Sequence, residues 1–148
     1  MTSTMPQDDF YAKVRRGMPR LVAQWRELGQ DAPQRLALLL AETARVVRIG
    51  QPEATPDAAT LTAWSEAKSG DEIPLWAART ATFLLVQMPA RPQPRDGDEA
   101  CAWAYCWLRN RDFDSLEAAT SALPAHLREP LADALPAAWR DRQGLRLI

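Results

Sequence analysis

Apolar positions recur along this chain at the three- and four-residue spacing of amphipathic helices, and alternating strand patterns are scarce. Phe10, Val14, Leu21, Trp25 and Leu28 mark a first helix that starts near Pro6 and stops at Gly29. Gly17-Met18-Pro19 falls inside it and predicts a kink or a split, because an interior proline removes a hydrogen bond. Asp31-Ala-Pro-Gln34 reads as the capped start of a second helix. That helix puts Leu36, Leu39, Leu40, Thr43, Val46 and Val47 on one wide inner face and closes at Gly50.

Thr55-Pro56-Asp57 reads as cap, first-turn proline and first-turn acid for a third helix running to about Ser69. Gly70 stops it, and Asp71 opens a fourth carrying Ile73, Trp76, Thr80, Phe83 and Leu84. Residues 88–98 hold three prolines and a glycine and form a Pro-rich surface loop. Asp96 to Glu99 cap the next helix. Asp114-Ser-Leu-Glu117 reads as a capping box for a short sixth helix, with aspartate as the cap. Ser121 to Pro124 open a seventh, which breaks before Pro136. The tail from Trp139 predicts a last helical turn and an apolar end.

The segment from Asp98 to Asn110, DEACAWAYCWLRN, is apolar on nearly every bearing. A helix of that kind is normally enclosed by other elements. The expected fold is therefore all-α, a single domain over 1–148, with six to eight helices packed around the helix at 98–110.

Composition agrees. The chain has 148 residues, 47% hydrophobic and 25% charged, which suits one domain with its own core. Formal net charge is −1, so the chain as a whole is no electrostatic nucleic-acid binder. Charge is uneven, however. The stretch 10–50 is rich in arginine, whereas 51–75 carries Glu53, Asp57, Glu66, Asp71 and Glu72 against Lys68. Arginine outnumbers lysine sixteen to two, which suggests a GC-rich bacterial source. The first residues lack the basic start and apolar run of a signal peptide. No apolar run approaches the ~20 residues of a membrane span.

Cys101 and Cys106, five apart, point roughly 140° from each other on a helix. They cannot pair or share a metal there. Buried reduced thiols and a cytoplasmic location follow.

A weak repeat at an offset of 41 relates Ala63, Asp71, Leu75 and Ala77 to Ala104, Asp112, Leu116 and Ala118. Residues 98–123 also resemble a tetratricopeptide hairpin: Trp107 matches the aromatic position of its first helix, and Asp112-Phe113-Asp114 its turn. Leu116 stands where the second helix has a small residue, and Arg109-Asn110-Arg111 replaces its glycine-rich turn. The resemblance implies protein binding rather than catalysis.

Chemical motifs are few. His126 is the single histidine, with Glu129 its one near acidic neighbour, and there is no H-E-x-x-H, paired C-x-x-C, G-x-S-x-G or phosphate-binding glycine loop. The carboxylates at 96–99 and 112–117 sit where helix N-termini favour negative charge. No catalytic residue, metal ligand or cofactor is assigned.

Lys13, Arg16 and Arg20 share one helical face and form a docking stripe suited to an acidic partner. Trp139, beside Arg140 and Arg142, is the tryptophan expected to be exposed. The expected function is that of a non-enzymatic protein-interaction protein: an adaptor, a secretion chaperone or a toxin-neutralising immunity protein. Its partner-binding residues are Lys13, Arg16, Arg20, Trp139 and Arg140. The alternatives are a nucleic-acid-binding regulator using the basic N-terminal helices, and an enzyme whose site assembles around His126 with Asp112 to Glu117.

Overall fold

A computed structural model describes residues 5–50 and 52–146, with side chains of 145 and 146 excepted. It is all helical and forms a single compact domain. The helices are α1 (Gln7–Gly29), α2 (Pro33–Val46), α3 (Ala58–Glu66), α4 (Leu75–Gln87), α5 (Gly97–Asn110), α6 (Leu116–Ser121), α7 (Ala125–Leu131) and α8 (Leu135–Arg146). A 3-10 turn, Gly70–Glu72, precedes α4. The apolar tail residues Leu147 and Ile148 lie outside the described residues.

α5 is the centre, packed by α1, α4, α7 and α8. Cys101, Ala102, Trp103, Ala104, Cys106, Trp107 and Leu108 are all buried. Its start follows from Asp96, whose side chain accepts the amide of Glu99 at 3.0 Å.

α1 runs unbroken through Pro19. The expected split does not occur there, and Gly17, Met18 and Pro19 are all buried. Gly17 serves the crossing with α5. A Cβ there would lie 2.2 Å from the carbonyl oxygen of Asp98 and 2.9 Å from the Cβ of Ala102.

Other boundaries shift for local reasons. Gln30, rather than Gly29, takes the left-handed conformation after α1. The bend after α2 is likewise made by Arg48 (φ 59°), while Gly50 leaves room for Trp76. Asp57, not Thr55, caps α3 by accepting the Thr60 amide at 2.8 Å. α3 ends at Glu66, because Ser69 and Glu72 close a capping box that starts the 3-10 turn. Ser115 rather than Asp114 caps α6, accepting the Ala118 amide at 3.0 Å. α6 runs only to Ser121, too short for the second helix of a tetratricopeptide hairpin.

α2 departs most from expectation. Leu36, Ala37, Leu40, Ala41 and Ala44 face the core. Leu39 and Val46, expected inside, are on the opposite side with Leu38, at 50%, 77% and 49% exposure.

Candidate functional site

The expected docking stripe lies against α5. Arg16 grips Asp98 with both sides of its guanidinium, Nε to Oδ2 at 3.0 Å and Nη2 to Oδ1 at 3.1 Å. Arg20 pairs with Asp96 and stands 3.7 Å from the buried Glu99. Lys13 is half-buried, its ammonium beside Gly97, where it lines a cavity with Arg95, Asp96 and Asp133. The acids of the α5 first turn are thus the partners that Arg16 and Arg20 meet. Hydrogen bonding to the Glu99 amide, and then Arg20, holds the Asp96 carboxyl below its ordinary range.

The C-terminal residues are also engaged within the chain. Trp139 is not exposed but half-buried against the core, with Arg142 over its ring at 5.6 Å. Arg140 is exposed and donates to the Gln7 side chain at 3.1 Å and the Met5 carbonyl at 2.9 Å. Arg142 is buried and binds the Phe113 carbonyl and Asp112 at 2.9 and 2.7 Å.

His126 is half-buried, and its carbonyl accepts from Gln93 at 3.2 Å. Asp112 is turned instead toward Arg142, and Ser115 and Glu117 line a separate shallow depression on α6. Among the described residues no cluster of three histidine, cysteine or acidic side chains could hold a metal ion. Cys101 and Cys106 are free thiols, raised by burial to about 11 and about 12, so both are protonated at neutral pH.

The outer face of α2 presents a further surface, which includes Leu39 and Val46. Residues 35, 38, 39, 42 and 46 of α2 form one outward stripe, Arg35, Leu38, Leu39, Glu42 and Val46. Val46 is followed by Val47, which enters an apolar slot of about 390 Å³ between α2, α4, α5 and α6. Ile49, Phe83 and Val86 also line it, with Trp107. The Trp107 indole N–H donates to the Ala119 carbonyl at 3.0 Å, which leaves carbon and ring surface to the slot.

Comparison with protein-family models, curated proteins and solved structures finds no match to this chain. The surface therefore has to be interpreted from its own chemistry. Among the described residues no helix is long and apolar enough to cross a membrane. The slot has aliphatic and aromatic walls, and its polar neighbours Gln87, Asn110 and Arg111 sit beside them. Such a lining suits apolar side chains and lacks a nucleophile paired with a base.

Proposed function

We propose that this chain is a non-enzymatic protein that works by binding another protein, as an adaptor, a secretion chaperone or a toxin-neutralising immunity protein does. One observation carries the reading: Leu38, Leu39 and Val46 stand exposed together on one face of α2, whose other face is fully packed. Exposed apolar side chains gathered on one face of a helix are what an interaction site presents. The adjoining slot extends it with a Trp107 anchor surface. The arginine-rich composition goes with a bacterial source, and the two free thiols with a reducing, cytoplasmic setting.

The test compares wild-type protein with a Leu39→Asp/Val46→Asp variant as bait in extract of the native host. Both substitutions lie on the outer face, so the melting temperature should be unchanged. The wild type should retain one stoichiometric partner that the variant loses. A partner held equally by both, or none held by the wild type, overturns the proposal.

A further inference from the structure

The slot also carries information about what its partner looks like, given the protein-binding reading on which this inference rests. Val47, Ile49, Phe83, Val86 and Trp107 make much of its lining, and the polar groups there are largely engaged: the Trp107 N–H by the Ala119 carbonyl, Asn110 by Arg79 and the Gln87 amide by the Phe83 carbonyl. An apolar side chain is the group that gains by entering it.

Arg111 is the one charged residue in its lining. It is exposed, its guanidinium over the Trp107 and Phe113 rings at 6.0 and 5.4 Å. Arg48 is exposed between the slot residues Val47 and Ile49. Arg79 lies one turn before Phe83, half-buried, and donates to two neutral acceptors: Asn110 Oδ1 at 2.9 Å and the Arg109 carbonyl at 2.7 Å. Arg16, Arg20, Arg95, Arg109 and Arg142 each have a carboxylate partner. Arg48, Arg79 and Arg111 have none among the described residues, as is also true of Arg15, Arg26, Arg91, Arg128 and Arg140; their place around the slot sets the three apart.

We infer that the slot receives an aliphatic or aromatic side chain of an acidic partner protein, with carboxylates flanking that anchor set against Arg48, Arg79 and Arg111. Desolvated arginine–carboxylate pairs around an apolar anchor supply both register and affinity. A small amphiphilic acid would fill the slot yet leave Leu39 and Val46 in water. The apolar surface continues out of the slot through Val46 and Val47, which favours a polypeptide.

A random twelve-residue peptide library displayed on phage, selected against the intact protein, tests this. Selected peptides should carry Leu, Ile, Phe or Trp close to Asp or Glu. Their affinity should fall at least tenfold in an Arg48→Glu/Arg111→Glu variant that melts like the wild type, and hold in an Arg15→Glu control, Arg15 being exposed on α1 and outside the slot lining. No selected peptide, no enrichment of acids, or binding that survives the arginine reversal overturns the inference. So does binding of decanoate without any peptide, which assigns the slot to a small amphiphile. A wild-type dimer in sedimentation that Leu39→Asp dissociates overturns it too, since a second copy then covers the face. If the host partner is lost with Leu39→Asp/Val46→Asp but kept by the arginine variant, this inference fails while the protein-binding reading stands. If both variants keep that partner, the protein-binding reading itself fails.

Discussion

Gly17 lies against the main chain of Asp98, so close that a Cβ at Gly17 would overlap the Asp98 carbonyl oxygen at 2.2 Å. The contact sets how near α1 approaches the central helix. Arg16 and Arg20 flank it and pair with the acids of the same α5 turn. One glycine and two arginines therefore fix the crossing.

Gly17→Ala should destabilise the fold by about 1–3 kcal/mol, the usual cost of overpacking. Helix propensity alone favours alanine by about 1 kcal/mol. Urea denaturation separates the two: a lower midpoint supports the tight crossing, and a higher one contradicts it.

The Arg20–Asp96 pair is best measured by a double-mutant cycle of Arg20→Gln and Asp96→Asn, since asparagine keeps the cap on Glu99. A coupling of about 0.2–1 kcal/mol is expected for a pair this accessible, fading in 1 M salt. The Asp96 carboxyl is held low, chiefly by the Glu99 amide and then by Arg20. Its stabilisation is therefore present above the unfolded carboxylate pKa near 4 and is lost as pH falls through the folded value. Acid unfolding should begin at higher pH in the wild type than in Asp96→Asn, relative to the neutral-pH stability of each. Parallel pH profiles would remove Asp96 from the account.

The thiols act at the other end of the scale. Burial raises Cys101 to about 11 and Cys106 to about 12, against 9.0 for an ordinary thiol. Groups raised in the folded state hold protons that the unfolded chain releases. Their contribution is complete below pH 9 and is lost as pH rises toward 11–12. Stability should drop across that window, and less steeply in Cys101→Ala/Cys106→Ala. Native protein at pH 8 should react with a thiol reagent only at the rate of unfolding. Rapid modification at pH 8 would show an accessible thiolate.

Trp107 joins the core to the slot. Trp107→Ala should cost about 3–5 kcal/mol. Trp107→Phe keeps a ring but strands the Ala119 carbonyl, and should cost about 1–3 kcal/mol. A Trp107→Phe variant as stable as the wild type would mean that the indole hydrogen bond contributes nothing.

The centre of the fold was legible because Cys101 to Leu108 are apolar around the whole circumference, and only enclosure satisfies such a helix. α2 was not. Leucines and valines occupy both of its sides, so periodicity cannot tell the covered arc from the open one. Periodicity alone puts Leu39 and Val46 inward for that reason. The charge stripe was visible as Lys13, Arg16 and Arg20, but its acidic counterpart lies more than seventy residues later. Nothing local indicates that α1 and α5 meet. Pro19 shows the same limit from the other side, since α1 continues through a buried turn that locally predicts a break. Its arginine neighbours predict an exposed Trp139, yet Arg142 folds inward over its ring.

The α1–α5 crossing has a consequence for how the chain is made. The apolar side of α1, with Phe10, Leu21 and Trp25, finds its main cover only when residues 97–110 exist. At ribosomal speeds that interval is on the order of 4–16 s. Throughout it the nascent segment displays aromatic surface that a finished molecule conceals. Synthesis rate between Gly29 and Gly97 should thus govern how much product aggregates, and slowing translation there should lower the yield of folded protein even though no amino acid is changed.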